Sequence, residues 1–217
     1  VLFPADHNSV LATLPAVYQT RGQLACMVIP KRERPAIFTQ AQAEQLARDG
    51  AVLVEQLDGA EPLLLMACGS YQLAEMQRAA SRLRSAGLAY RLVYVQEPGR
   101  FRAPRDRWEA EAMASAEVIA QLFTPTLRRR VLLTHMRPEV ARGHLWPLVP
   151  DAANTVVLGY RNRGGTLDEA GMQFANSATW AHVLAACSQL LQVPLSDVLV
   201  AAEISAVKGE GDPRVLR

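Results

Sequence analysis

Blocks of unbroken apolar residues alternate along this chain with stretches in which apolar side chains return every third or fourth position. Residues 24–29, 51–57, 63–68, 90–96, 131–134 and 156–160 form the blocks. Their length and their β-branched or aromatic content predict buried strands. The helical stretches are equally distinct. Val10, Leu11, Leu14 and Val17 follow three candidate N-cap side chains, Asp6, Asn8 and Ser9, and Pro15 is expected to kink or shorten that helix. A capping box at Thr39 and Gln42 opens a short helix over 41–48, which Gly50 stops. Ser70 is placed to cap a helix striped by Leu73, Met76, Ala80 and Leu83 and closed by Gly87. Met113, Ala116, Ile119, Ala120 and Phe123 mark a further helix, and Trp180, Val183, Leu184, Cys187 and Leu191 the last clear stripe.

Strand and helix in alternation predict an α/β layer fold with a largely parallel sheet. The spacer over 58–62 is too short for a crossover helix, so one strand pair near it is expected to be antiparallel. Residues 31–37, with Pro30 before them and Pro35 among them, read as a linker, and the Gly-rich polar end from Lys208 reads as loose. The chain opens at Val1 without an initiator Met and is expected to be a piece of something larger.

Composition narrows the class. Half of the 217 residues are hydrophobic and 20% are charged, which supplies a packed core and excludes disorder. A net charge of +2 argues for neither nucleic acid nor an anionic membrane surface, and no apolar run is long enough to predict a membrane-spanning helix. The run Arg128, Arg129 and Arg130 reads as the solvated start of a strand. Cys26, Cys68 and Cys187, far apart among apolar neighbours, read as small core residues, which fits a reducing, cytoplasmic setting.

The candidate chemistry is sparse. Cys68-Gly69-Ser70 sits between a strand and a helix, where α/β sheets bind ligands, but no dinucleotide or P-loop glycine pattern accompanies it. A hydrolase would need Ser70 or Cys68 as nucleophile with His135 as base, yet Tyr71 and Gln72 replace the rest of a nucleophile elbow. His7, His135, His144 and His182 have no metal-ligand spacing. Lys31 is the sharpest candidate: behind Pro30 it is expected to leave a buried strand and offer its ammonium to a substrate phosphate.

Three segments share an order with one family. They are Pro4-Ala5-Asp6-His7-Asn8-Ser9-Val10-Leu11, then Val28-Ile29-Pro30-Lys31 ahead of Phe38-Thr39, then Gly159-Tyr160-Arg161-Asn162-Arg163-Gly164-Gly165-Thr166. Together with Cys68-Gly69-Ser70 they resemble the carboxy-terminal part of phosphoketolases. The resemblance implies a three-layer transketolase C-terminal-like domain over 32–207, with a mixed, mostly parallel five-stranded sheet. Residues 1–31 would end a preceding pyrimidine-binding-type domain, and 208–217 would be a flexible terminus.

It further implies a thiamine-diphosphate-dependent aldehyde-lyase that turns a sugar phosphate and inorganic phosphate into acetyl phosphate and an aldose phosphate. Thiamine diphosphate and magnesium would bind outside this segment, which would hold no catalytic residue and no metal. Lys31 is the position that matches the family's substrate-phosphate contact. The implied partners are upstream domains of the same polypeptide and a second copy in a homodimer, with neither nucleic acid nor membrane, and the segment alone would be inert. The alternative is a stand-alone interaction or anion-binding regulatory module of the same fold.

Overall fold

The computed structural model describes residues 1–19 and 24–217. In chain order it contains α1 (His7–Gln19), α2 (Gln40–Asp49), β1 (Ala51–Leu57), β2 (Leu63–Cys68), α3 (Ser70–Ser85), β3 (Tyr90–Val95), α4 (Arg107–Glu111), α5 (Ala116–Leu122), β4 (Arg130–Thr134), α6 (Pro138–His144), β5 (Thr155–Gly159), α7 (Glu169–Ala175), α8 (Trp180–Leu191) and α9 (Ala201–Val207). The strands form one five-stranded sheet in the order β1-β3-β2-β4-β5. β3, β2, β4 and β5 run parallel, and β1 is antiparallel to β3. The short spacer does produce an antiparallel strand, but β1 and β2 are not partners, because β3 is inserted between them.

Side-chain alternation explains why the sheet is covered on both faces. Leu63, Leu65 and Ala67 of β2 enter one core with Leu73, Met76 and Leu83 of α3 and Trp180, Val183 and Leu184 of α8. Leu64, Met66 and Cys68 enter a second core with Phe101, Leu122, Phe123, Leu145 and Leu148. A strand buried on both faces carries no polar position, which is why β2 reads as a continuous apolar run.

Several expectations are corrected. Residues 24–29 form no buried strand. Their one ladder contact is an isolated bridge between Leu2 and Met27, with Leu2 N–H donating to the Cys26 carbonyl (2.8 Å) and Val28 N–H to that of Leu2 (2.8 Å). Leu24 is fully exposed and Cys26 is exposed, so only Cys68 and Cys187 are core cysteines. Helix α1 is turned relative to its pattern, with Val10, Leu14 and Val17 only half-buried. Its buried residues are Ser9 and Thr13, while Leu11 is 53% exposed. The Thr13 hydroxyl accepts from Gln96 Nε2 (3.0 Å), so a polar seam joins α1 to the body. Pro15 does not end the helix, since it lies on the exposed side, where water can satisfy the unpaired carbonyl.

The helix expected around Met113–Phe123 is α5 alone, which starts after Met113 because Ser115 caps it by accepting from Val118 N–H (3.3 Å), and the short α4 precedes it. Arg130 is buried and not solvated. Its guanidinium donates to the Leu127 carbonyl (2.9 Å) and to that of Leu148, tying loops beneath the second core. Past α9, where the sequence suggests a loose end, Leu216 is buried and its carbonyl accepts from Trp180 Nε1 (2.9 Å). Among the described residues no helix is long and apolar enough to cross a membrane.

The first residues are held by Asp6, whose carboxylate does cap α1 as expected. It accepts from Ser9 N–H (2.9 Å) and the Ser9 hydroxyl (2.7 Å), and also from the N–H groups of Ile37 (2.6 Å) and Phe38 (2.8 Å). Burial pushes this carboxyl up, but the bonds from Phe38, Ser9 and Ile37 outweigh it and hold its pKa below the usual value. Asp6 therefore ties the start of α1 to the residues that lead into α2. Residues 20–23, within the segment read as the end of a preceding domain, lie outside the described residues.

Candidate functional site

From β2 the chain passes through α3 to β3 on one side, and then crosses to β4 on the other. The carboxyl ends of β2 and β4 therefore flank a topological switch point, where open α/β sheets form crevices. A cleft of about 370 Å³ opens there, lined by Lys31, Gln72, His135, Tyr160, Gln173 and Asn176 among others.

Backbone geometry at the strand exits shapes its floor. Gly69 has φ +111°, and a methyl at its Cα would collide with Gln72 Oε1 and come within 3.1 Å of His135 Cβ. Only glycine lets the Gln72 amide fold against this turn. Gly159 is required for the same kind of reason, since a side chain there would strike the Met136 carbonyl. His135 N–H donates to the Cys68 carbonyl (2.8 Å), which places the imidazole beside Gly69 and 5.9 Å from the Phe3 ring. Burial pushes the His135 pKa below its usual value, so the ring is neutral at pH 7.

The rim is charged. Asp168 pairs with Arg217 (3.0 Å) and Glu169 with Arg34 (3.4 Å), whose guanidinium also lies 5.1 Å from the centre of the Tyr71 ring. Lys31 and Arg32, both exposed, make no ion pair or hydrogen bond with any described residue. The structure thus brings Lys31 to the cleft by a surface strap, not at the end of a buried strand. Buried Asn176 fixes the opposite wall. Its Oδ1 accepts from Arg161 N–H (2.7 Å) and Arg163 N–H (3.2 Å), while its Nδ2 donates to the Arg163 carbonyl (3.0 Å).

Among the described residues no nucleophile–base pair lines the cleft. The Ser70 hydroxyl donates to the Ala5 carbonyl (2.7 Å), so Ser70 anchors the chain start instead of capping α3, whose N-cap is Gly69. Burial pushes the Cys68 thiol up to about 12. The other histidines lie apart from the cleft lining, and among the described residues no three His, Cys, Asp or Glu side chains are grouped to hold a metal. Neither Gln72 nor Asn176 was a site candidate on the sequence. The available signal was Gln72 itself, an amide directly beside the apolar stripe of α3.

No family model matches the chain. It is 27% identical over 130 residues, 57% of its length, to a probable phosphoketolase of Lactococcus lactis subsp. lactis (strain IL1403), covering 16% of that protein. A probable phosphoketolase of Pediococcus pentosaceus (strain ATCC 25745) is 33% identical over 67 residues, which is 30% of this chain and 8% of that one. The matched part is therefore a small fraction of either relative's length. Among solved structures, transketolase from Leishmania mexicana aligns over 88% of this chain and 25% of its own, with TM-score 0.62 and 13% identity. A split-gene transketolase described as an inactive beta4 tetramer aligns over 88% and 57%, with TM-score 0.61 and 18% identity. The chain is a distant sequence relative of phosphoketolases with the fold of the transketolase carboxy-terminal region.

Proposed function

We propose that this chain is the carboxy-terminal portion of a thiamine-diphosphate-dependent phosphoketolase-like lyase. Residues 1–31 would end a preceding domain, 32–207 would form the terminal domain, and Lys31 would hold the phosphate of the sugar substrate. The observation that carries the placement is the exposure of large apolar side chains in residues 1–31. Ser9 and Thr13 are the buried residues of α1, while Leu11, Tyr18, Leu24 and Ile29 are exposed, as on a surface seated against more protein. The reaction class comes with the phosphoketolase similarity.

The residues present do not suit the magnesium that accompanies thiamine diphosphate. Both carboxylates at the cleft are already paired with arginines, and its unpaired charges are cations. Those groups would sit elsewhere in the larger assembly, where the cofactor supplies the carbanion chemistry. This chain's part is to present an ammonium without a competing carboxylate, so that a phosphate meets it as a point charge.

The test is acetyl phosphate formation from xylulose 5-phosphate or fructose 6-phosphate by the full-length protein. Lys31→Ala is expected to lower kcat/KM about 30-fold, or about 2 kcal/mol, as for a lost charge-assisted hydrogen bond. The 217-residue chain alone is expected to form none. An unchanged kcat/KM would remove Lys31 from the site, and absence of acetyl phosphate from the full-length protein would leave the non-catalytic module as the reading.

A further inference from the structure

One wall of the cleft is a loop with a root of its own. Residues 161–176 begin and end at a single side chain. Buried Asn176 accepts from Arg161 N–H (2.7 Å) and Arg163 N–H (3.2 Å), and donates to the Arg163 carbonyl (3.0 Å). Surface loops of this length with joined ends behave as self-packed units. The packing here is internal, since a methyl on Gly164 would come within 2.9 Å of both Ala175 Cβ and Leu167 Cδ1.

Little else holds this unit. Residues 161–168 are exposed throughout, and of α7 Gln173 alone is buried. Phe174, beside the root, packs half-buried against the core, 5.8 Å from the His182 ring, and supplies a pivot. Segments with so few buried apolar contacts open at low cost. Left-handed backbone stands at both ends of the unit: Asn162 (φ 59°), Gly164 (103°) and Gly165 (57°) on one side, Ser177 (55°) on the other. Hinges are short stretches at such places, where a few residues absorb the change in φ and ψ.

Among the described residues, two ion pairs tie the unit to distant parts of the chain. Asp168 meets Arg217 (3.0 Å), and Glu169 meets Arg34 (3.4 Å). Both pairs are partly exposed, so each shifts an equilibrium by about fivefold at most. They are latches of a strength that thermal motion can undo. The unit supplies Leu167, Asp168, Glu169, Met172 and Gln173 to the cleft lining, so its displacement would lay the cleft open along that side.

We propose that residues 161–176 are a hinged flap over the cleft, rooted on Asn176 and latched shut by Arg34 and Arg217, and that its opening governs access. The motion needs no ligand and no thiamine, so it stands or falls apart from the lyase reading.

Distances between spin labels on the 217-residue chain test this. One pair joins the flap to α3 at two exposed positions, Thr166→Cys and Ser81→Cys, with Cys26→Ser to remove the exposed thiol. A control pair, Ser81→Cys with Gln121→Cys, lies on the body alone. The flap pair is expected to show one main distance and a minor, longer one. Arg34→Gln with Arg217→Gln leaves the flap's own residues intact and is expected to raise the longer-distance share about fivefold. Raising KCl to about 1 M, where screening acts within about 3 Å, should do the same in the parent and little in the double variant. The control pair should stay as it was. A single distance, unchanged by the double variant and by salt, would make the loop a fixed wall and overturn the flap. An equal change in the control pair would report general loosening and overturn it as well.

Discussion

His182 lies in α8 with the Thr179 hydroxyl 2.8 Å from its Nδ1 and the Phe174 ring 5.8 Å away. Burial lowers its pKa from 6.5 to about 4, so the folded chain refuses a proton that the unfolded chain accepts. The stabilisation is complete above about pH 6.5 and is lost as the pH falls toward 4. His135 and His144 shift in the same sense, and half-buried Glu75, whose pKa is raised by burial, opposes them as the pH falls toward the ordinary carboxyl range. Urea unfolding at pH 7 and pH 5 should therefore show a loss of about 1–2 kcal/mol attributable to this imidazole. His182→Leu should reduce the loss by that amount, and equal losses in both proteins would exclude the residue as the cause. At this scale the sequence was a partial guide. It placed His182 correctly on a helix among apolar neighbours, but Arg130 looked solvated because a charge run says nothing of which carbonyls wait nearby. Gln72 counted only as a break in a nucleophile elbow, because nothing in the local pattern shows that it folds against Gly69.

Elements were more legible where one pattern had one meaning. β2, β3 and β4 were evident because strands buried on both faces must be apolar throughout. The block over 24–29 has the same composition and no place in the sheet, since an apolar run reports that it will be covered and not by what. The apolar stripe of α1 foretold a helix, but its polar edge is what meets this body. Between β5 and α7 the connection owes its course to Asn176, which replaces missing backbone partners for Arg161 and Arg163. Asn176→Ala should cost about 1–3 kcal/mol through the buried groups it strands. Hydrogen exchange at the Arg161 and Arg163 amides should quicken at least tenfold while β4 amides keep their protection. Unaltered exchange there would mean that the connection is held by other contacts.

For the whole molecule, the exposed residues Leu11, Tyr18, Leu24 and Ile29 belong to one sequence segment that this body leaves uncovered. The distant relatedness to phosphoketolases and the transketolase-like fold were readable from the order of short motifs. The outward-facing segment was not, because it depends on which face of α1 Gln96 and Thr13 select. Without a covering domain, copies of the chain should associate through this surface. Sedimentation velocity should reveal a concentration-dependent oligomer. Leu11→Lys with Leu24→Lys should weaken it at least about tenfold, since burying a charge is costly. A monomer across the accessible range would show that the surface tolerates water unaided.

Because Asp6 fastens the chain at its own position to Ile37 and Phe38, the two ends of the intervening stretch share a fixed root. Residues inserted or deleted along it would alter how far Lys31 reaches without displacing Gly69, Gln72 or His135. Ligand size could thus be retuned by loop length alone, on an unchanged floor.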